Sequence, residues 1–307
     1  MKKHHVILDC DPGHDDAIAI ILASNAITIN LIGITVSAGN QTLEKTGRNT
    51  LNLVQYLNVD VPVCLGVEKP LVRPQQIASD IHGESGLDGF TFDPLTIDFD
   101  ERSSVDFLIE ALTNTKDKIT IVTTGPMTNL ALALKIKPSI KNNIKEIVFM
   151  GGAYGYGNVS PAAEFNILVD PEAAHIVTKA GIKTTMVGLD VTRQVKVLAP
   201  IVQRMTTLNT KKSHLFVKLM EAFNENQKMV FGLEGGPLHD PVTIAYLMDP
   251  TVLKTKHVSL EIDLSKGPSY GRTNCDMFDY LKQPKNAYVA THIDVDKFWN
   301  LIENSLK

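Results

Sequence analysis

The chain has few cysteines, no surplus of basic residues and no long apolar run. Its three cysteines, Cys10, Cys64 and Cys275, are far apart and form no C-x-x-C pair, so neither a disulfide framework nor a zinc site is indicated. A net charge of −4 gives no reason to expect binding to nucleic acid or to an anionic membrane. No apolar run is long enough to span a bilayer, and residues 1–5 lead directly into a strand pattern with no signal-peptide core. We therefore expect a cytoplasmic protein.

The 307 residues are 44% hydrophobic, as in an ordinary globular protein with a sizeable core. Short apolar runs alternate with segments of helical periodicity and with short turns, which predicts βαβ units and a mainly parallel sheet. This length allows one large α/β domain or two smaller ones. Because no linker, internal repeat or low-complexity tract interrupts the pattern, we expect one domain over residues 1–307.

Apolar periodicity assigns most segments to a strand or a helix. The predicted strands are residues 6–8, 30–37, 61–65, 119–123, 146–150, 184–187, 258–263 and 287–293. The predicted helices are residues 17–22, 43–57, 105–112, 129–134, 171–179, 237–248 and 295–306, and residues 200–250 as a whole are predicted to be mostly helical. Residues 66–100, here called the lid segment, have no sustained period, and a stretch this long without its own structure is usually a functional lid or a mobile loop.

Four carboxylates, Asp9, Asp11, Asp15 and Asp16, fall between the first strand pattern and the first helix pattern, and a proline-glycine turn signal lies among them. In an open α/β sheet, ligands bind beyond the carboxyl ends of the strands. Like charges this close repel one another unless a positive group lies among them, and a hard cation with oxygen ligands would meet that need. The simpler alternative is that Asp15 or Asp16 caps the helix, but capping does not explain Asp9 and Asp11.

Later strand ends supply further candidate residues: Asn40, Thr124, Met150, the loop 158–166 and the pair His239-Asp240. Each has an ordinary structural alternative. Asn40 follows a glycine and could be a turn residue, while Glu164 and Asn166 alternate as they would on an edge strand. Asp240 precedes a proline and could serve only as a helix cap, and His239 could be a surface histidine.

The glycines of residues 151–157 suggest a phosphate loop, but they fit neither G-x-G-x-x-G nor the Walker pattern. The candidate residues taken together are rich in carboxylates and amides, and they include no lysine or arginine suited to phosphate. This composition favours a polyhydroxyl ligand with a cation over a nucleotide phosphate.

Residues 9–16, D-C-D-P-G-H-D-D, resemble the N-terminal signature of the inosine-uridine preferring nucleoside hydrolase family. The resemblance extends in order through residues 38–40, 124–126, 150–152, 164–166 and 239–240, and so covers essentially the whole chain. Within the family, the chain is most similar to bacterial ribonucleoside hydrolases that prefer pyrimidines, because His82 stands ahead of G-E-S-G-L-D-G in the lid segment.

The resemblance implies an open, mostly parallel, Rossmann-like sheet with helices on both faces, a bound Ca²⁺ ion, and cleavage of the N-glycosidic bond of a ribonucleoside by water. It implies four metal ligands: Asp11, Asp16, the main-chain carbonyl of Thr124, and Asp240. It implies a substrate-binding set made up of Asp15, Asn40, Met150, Asn158, Glu164, Phe165, Asn166 and Phe231. Asp11 is the implied general base, and His239 and His82 lie at the implied leaving-group end. Members of the family are usually dimers or tetramers, so a homo-oligomer is expected.

Three positions depart from the pattern of the most similar members: Asp80 where asparagine is common, Val159 where an aromatic residue is found, and Phe231 where tyrosine is found. All three are expected towards the nucleobase, so the reaction is unaffected and the base preference stays open. Uridine or cytidine is the favoured substrate, and a purine-preferring or broad specificity is the alternative. Loss of a phenolic hydroxyl beside His239 would also shorten any proton relay there.

Two other functions are compatible with parts of the sequence. Asp9-x-Asp11 at a strand end resembles the motif of magnesium-dependent phosphohydrolases, but the hydroxyl residue and the positioned lysine that such chemistry needs are absent. A non-enzymatic nucleoside sensor could share the fold. A carboxylate base at Asp11 and a histidine at His239 argue against a sensor, because binding alone does not require an acid and a base.

Overall fold

Eight strands form one sheet in the computed structural model, which describes residues 3–307. These strands are β1 (His4–Cys10), β2 (Ile29–Val36), β3 (Val63–Leu65), β4 (Ile119–Thr123), β5 (Ile144–Met150), β6 (Thr184–Val187), β7 (Leu253–Val258) and β10 (Ala287–Ile293). Their order is β3-β2-β1-β4-β5-β6-β10-β7, and only β7 runs antiparallel to its neighbour. Strands β8 (Leu260–Ile262) and β9 (Thr273–Cys275) form a separate antiparallel pair.

Helices cover both faces of this sheet. They are α1 (His14–Asn25), α2 (Leu43–Leu57), α3 (Ser79–His82), α4 (Ser104–Asn114), α5 (Thr128–Ile136), α6 (Phe165–Val169), α7 (Pro171–Thr178), α8 (Leu189–Thr192), α9 (Ala199–Thr206), α10 (Lys211–Phe231), α11 (Pro241–Met248) and α12 (Val295–Leu306). Leu8 of β1 belongs to a hydrophobic cluster with α1, α10 and α12, whereas its neighbour Ile7 belongs to a second cluster with α4 and α5. Alternate side chains of β1 therefore pack into hydrophobic cores on opposite faces of the sheet. The predicted fold class, an open and mostly parallel sheet with helices on both faces, is confirmed.

The strand order places the topological switch point between β1 and β4. The connection from β1 leads to β2 on one side, while β4 pairs with β1 on the other. In sheets of this kind the crevice at the switch point, beyond the carboxyl ends of the strands, is where ligands bind. The residues that follow β1 and β4 are Asp11 and Thr124.

The prediction of one strand over residues 258–263 is wrong. β7 ends at Val258, and Leu260–Ile262 belongs to the separate β8–β9 pair. β7 itself was missed because its four central residues are polar and exposed, so it carries no hydrophobic period. It lies at the edge of the sheet, where polar side chains are tolerated on both faces.

The lid segment has almost no regular structure, as predicted, but it contains the short helix α3 and is fastened to the body of the protein. The Asn49 side-chain amide donates to the carbonyls of Ser85 at 2.9 Å and of Pro12 at 3.1 Å. The Gln41 amide donates to the Gly83 carbonyl at 2.9 Å. The Asn49 bonds tie the lid segment to the turn that carries the four acidic residues, and the Gln41 bond ties it to the loop after β2. None of the helices within residues 3–307 is long and apolar enough to cross a membrane.

Gly33 in β2 offers a test of the packing on the α4 face of the sheet. A Cβ atom at this position would overlap the ring of Phe107, which is buried on α4. We expect Gly33→Ala to lower the free energy of unfolding by about 1–3 kcal/mol, because the core is already filled. Gly267→Ala is the matched control, since its Cβ would meet no atom within 4 Å. Denaturant unfolding measures both, and equal stabilities of the two variants would contradict the packing described here.

Candidate active site

A cavity of about 440 Å³ opens where the carboxyl ends of the central strands meet. Its polar floor consists of residues that follow strand ends or flank the starts of α1, α6 and α11: Asp15, Asn40, Thr124, Asn166 and Asp240. Its helical wall consists of residues on or next to α3, α8 and α10: Ile81, His82, Arg193, Phe223, Gln227 and Phe231. The cavity thus combines a carboxylate-rich end with an end at which most side chains are aromatic or aliphatic.

Asp11 lies directly beneath the floor, fully buried at the end of β1. Its Oδ2 atom accepts a hydrogen bond from the main-chain N–H of Asn40 at 2.7 Å, whereas its Oδ1 atom has no partner among residues 3–307. A Cβ on Gly39 or on Gly125 would overlap this carboxylate. The two glycines therefore form a backbone cradle that holds the carboxylate and leaves one oxygen without a partner.

Asp15, Asp16 and Asp240 form the carboxylate cluster of the floor. One oxygen from each lies within 4.8 Å of the other two, and all three side chains are buried. Asp16 is held by the Thr124 hydroxyl at 2.7 Å, the Gly13 N–H at 3.0 Å and the Asn40 amide at 3.1 Å.

Helix capping explains only part of this arrangement. Asp16 does accept the N–H of Gly13, the N-cap residue of α1, but Asp240 at the start of α11 makes no side-chain capping bond. The Oδ1 atom of Asp15 is buried without a partner within residues 3–307. Buried oxygens that lack a hydrogen-bond donor are the ligands that a hard cation takes. The carboxylate cluster, with Asp11 beneath it, therefore fits a metal ion.

Burial and mutual repulsion make these carboxylates hard to ionise in the absence of a cation. Burial, together with the charge of Asp16, raises the pKa of Asp15 to about 7. The same two causes raise the pKa of Asp11 well above its usual range, and burial with the charges of Asp15 and Asp16 does so for Asp240. A cation in the cluster would lower these pKa values, because it favours the charged form of each acid.

Asn166 joins the ends of two neighbouring strands. Its side-chain amide donates to the carbonyl of Thr124 at 2.6 Å and to the carbonyl of Met150 at 3.2 Å. Glu164 lies at the N-cap of α6, where its carboxylate accepts the N–H groups of Gly152, Asn166 and Ile167 at 2.9–3.1 Å. Residues 164–166 therefore begin a helix, and the edge-strand alternative is wrong. Burial nevertheless raises the pKa of Glu164 to about 7.

His82 reaches the cavity from α3, although it lies in the lid segment. Its Nδ1 atom accepts a hydrogen bond from the main-chain N–H of His14 at 3.3 Å, so the neutral ring carries its proton on Nε2. Its ring stacks on His14 and on Phe223, with centroids 5.7 and 6.1 Å apart. Burial holds the pKa of His82 well below its usual value. His82 is therefore a neutral hydrogen-bond donor near pH 7.

His239 is positioned from the other side of the cavity. Its Nδ1 atom lies 2.7 Å from the hydroxyl of Thr192 on α8. Burial, with a smaller effect from the charge of Arg193, lowers the pKa of His239 to about 3. Both predicted histidines thus line one cavity, and both are uncharged at neutral pH.

The structure brings together nearly all the residues that the sequence analysis selected. Those that line the cavity are Asp15, Asn40, His82, Thr124, Met150, Asn158, Val159, Glu164, Phe165, Asn166, Phe231, His239 and Asp240. Asp11 and Asp16 are buried below it. Asp80 is an exception, because it is exposed on α3 and does not line the cavity. Asp9 also lies apart from the cluster, since its Oδ1 atom accepts from Thr35 at 2.7 Å and from Asn129 at 2.9 Å.

Several residues of the helical wall were not predicted from the sequence to be part of the site. Phe223 and Gln227 on α10 line the cavity together with Phe231, and the three are four residues apart, so that they share one helix face. This four-residue spacing is the feature of the sequence that could have predicted them. Arg193 gave no signal, because it follows a four-residue helix in a stretch without periodicity. No lysine or arginine was among the candidate residues chosen from the sequence, so the presence of Arg193 in the cavity lining is a correction.

The chain matches one family along nearly its full length. The family model described as inosine-uridine preferring nucleoside hydrolase matches residues 6–300. The chain belongs to this family.

Individual members of the nucleoside hydrolase family are similar to the chain throughout. The pyrimidine-specific ribonucleoside hydrolase RihB of Escherichia coli K12 is 45% identical over 307 residues, which are 100% of this chain and 98% of that protein. A solved structure of a purine-preferring ribonucleoside hydrolase from Gardnerella vaginalis superimposes with a TM-score of 0.92 at 34% identity, covering 98% of each chain. A plant nucleoside hydrolase gives a TM-score of 0.92 at 28% identity, covering 99% of this chain and 98% of the other. The protein is therefore a nucleoside hydrolase, and the phosphohydrolase and sensor alternatives are not retained.

The electrostatics of the carboxylate cluster predict how the metal-free hydrolase responds to pH. The pKa of Asp15 in the folded protein, about 7, lies above its unfolded value of about 3.9. The stability that comes from its neutral form is present below pH 4 and is lost as the pH rises through 7. After treatment with a strong chelator, we expect the melting temperature to be lower at pH 8 than at pH 6.

Restoring a divalent cation should raise the melting temperature more at pH 8 than at pH 6. Asp15→Asn is the control, because it removes one titrating group and should weaken the pH dependence of the chelated protein. Differential scanning calorimetry measures all of these changes. Identical melting curves with and without chelator at pH 8 would contradict a cation in this cluster.

Proposed function

We propose that the protein hydrolyses the N-glycosidic bond of ribonucleosides in a Ca²⁺-dependent reaction and prefers uridine and cytidine. The observation that carries this proposal is the carboxylate cluster beneath the cavity, where oxygens of Asp11 and Asp15 are buried without a donor. A floor built of carboxylate and amide groups is complementary to the hydroxyls of a sugar. The reaction requires such a floor, because positive charge develops on the ribose ring as the bond breaks.

The proposed ligands of the ion are Asp11, Asp16, Asp240 and the main-chain carbonyl of Thr124. Asp15, whose oxygen lies within the same cluster, is proposed to bind ribose together with Asn40, Asn158, Glu164 and Asn166. When bound, Ca²⁺ would supply positive charge and coordination sites for oxygen ligands. An all-oxygen donor set favours a hard cation of this kind over zinc.

Asp11 is proposed as the general base. Its carboxylate is fixed on one side by the Asn40 N–H, and its other oxygen is available to accept a proton from water. At the opposite end of the cavity, His82 and His239 are uncharged. They are proposed to donate hydrogen bonds to the base as neutral imidazoles rather than to act as imidazolium acids.

The pyrimidine preference rests on the 45% identity to RihB of Escherichia coli K12, whose name describes it as pyrimidine-specific. Purine preference is the second candidate. It is favoured by the similarity to the Gardnerella vaginalis enzyme and by the aromatic faces of Phe223 and Phe231 in the helical wall. Incubation with uridine, cytidine, inosine and a phosphate ester tests the proposal, with free ribose and free phosphate as readouts. Release of phosphate alone would refute it.

The role of Asp11 predicts the effect of Asp11→Asn, which keeps the size of the side chain and one oxygen but removes the proton acceptor. We expect kcat for uridine to fall by at least about 10²–10⁴-fold, the usual contribution of general base catalysis. Asp9→Asn is the matched control, since Asp9 is equally buried but bonds Thr35 and Asn129 outside the cluster. A loss of less than tenfold at Asp11 would mean that another group activates the water.

The proposed ribose floor predicts discrimination against 2′-deoxyribonucleosides. Without the 2′-hydroxyl, buried acceptors and the cation lose a partner, which costs more than the loss of an apolar contact. We expect kcat/KM for 2′-deoxyuridine to be on the order of 10³-fold or more below that for uridine. We also expect kcat/KM for uridine to exceed that for inosine. Steady-state kinetics measure both ratios, and equal values for uridine and 2′-deoxyuridine would remove the basis for ribose recognition by the floor.

A further inference from the structure

Arg193 is the only lysine or arginine among the residues that line the cavity in the described chain. It follows α8 immediately, next to the threonine that contacts His239. The floor residues are carboxylates and amides that match the ribose hydroxyls. The helical wall, which includes Arg193, is therefore left to face the nucleobase.

The guanidinium is held in place without being neutralised. It donates to the carbonyl of Tyr156 at 3.1 Å and to the carbonyl of Gly157 at 2.6 Å. Among residues 3–307 it makes no ion pair with a carboxylate within 4.0 Å. A guanidinium has five N–H donors and stays charged at every physiological pH. Two fixed bonds orient the group, and its remaining donors and its full charge are available to a ligand.

The charge of Arg193 affects the pKa values of two titratable side chains in the cavity. Burial is the main cause of the low pKa of His239, and the guanidinium lowers that pKa further. It also opposes the rise that burial causes in the pKa of Glu164. Phe223, which is buried, lines the same cavity, and a charge beside buried apolar side chains acts more strongly than it would in water.

The reaction generates a negative charge at this end. When the bond between C1′ and N1 of a pyrimidine nucleoside breaks, its electron pair passes to N1, and the base departs as an anion that is delocalised onto its oxygens. Water forms the new bond to C1′ and gives its proton to Asp11, and the base anion takes a proton from solvent after it leaves. A cation that faces the departing base stabilises the transition state as the charge develops.

We propose that Arg193 stabilises the anion of the departing pyrimidine base. This inference rests on the proposed hydrolysis of pyrimidine nucleosides and adds a catalytic residue to it. It also accounts for a leaving-group end in which both histidines are neutral and position 231 carries a phenylalanine without a hydroxyl.

The test compares leaving groups of different acidity. Arg193→Gln removes the charge and keeps an amide that can still donate hydrogen bonds. We expect kcat for uridine to fall by about 10²-fold or more, the usual cost of losing one such stabilising group. The loss should be distinctly smaller for 5-fluorouridine, whose base is the more acidic leaving group and needs less stabilisation. Arg193→Lys retains the charge and should recover part of the uridine rate.

Asp190→Asn is the structural control. Asp190 accepts the N–H groups of Tyr154 and Gly155 at 2.8 and 2.9 Å, so this change loosens the same loop while Arg193 keeps its charge. We expect it to lower the rates for uridine and 5-fluorouridine by equal factors. Equal losses in Arg193→Gln as well would mean that Arg193 only holds the loop, which would overturn the proposal.

Two further outcomes separate this inference from the proposed function. If the unmodified enzyme cleaves neither uridine nor cytidine, the proposed function itself fails. If it cleaves uridine 5′-monophosphate faster than uridine, and Arg193→Gln abolishes only that advantage, then the guanidinium faces the 5′ end of the ribose. That result would also overturn the proposal.

Discussion

The repulsion among the buried carboxylates is the constraint on which the rest of the site depends. Asp11, Asp15, Asp16 and Asp240 lie within or directly beneath one cluster, and burial prevents water from screening their charges. Backbone N–H groups, the Thr124 hydroxyl and the Asn40 amide satisfy some of their oxygens, but not all. The protein retains an electrostatic cost that only a cation or protonation relieves. Such a cost is typical of a functional site and has no benefit for folding alone.

Two kinds of element build the cavity, and they differ in how firmly they are fixed. The floor follows the ends of adjacent parallel strands, whose relative positions are set by the register of the sheet hydrogen bonds. The helical wall is carried by α3, α8 and α10. Helix α3 packs on α10, and the Asn226 amide of α10 donates to the Ile81 carbonyl of α3. A single hydrogen bond, between Thr192 and His239, joins helix α8 to the loop before α11. The wall can therefore change by substitution, as at Phe231, without disturbing the floor. Because the floor and the wall are held by different elements, the base preference can vary while the reaction stays the same.

The sequence predicted the floor better than the wall, for physical reasons. Asp11, Asn40 and Thr124 could be placed together because each follows an apolar strand, and parallel strands end at the same edge of a sheet. The spacing of Phe223, Gln227 and Phe231 marks one face of α10 but does not say what that face contacts. Arg193 follows a four-residue helix and leaves no local pattern at all. Asp9 was grouped with the other acids by proximity in sequence, but its carboxylate accepts hydrogen bonds from Thr35 of β2 and Asn129 of α5, apart from the cluster. The polar edge strand β7 was missed because strand recognition depends on buried alternation.

The members of the carboxylate cluster are distant in sequence. Asp15 and Asp16 lie in the first turn of α1, whereas Asp240 lies at the start of α11. The carboxylate cluster can therefore form only after α11 has been synthesised and α1 has packed against it. Binding of an ion would then close a loop that contains strands β2 to β6, so it would oppose the separation of α1 from α11. Metal uptake would therefore follow the folding of these elements rather than precede it.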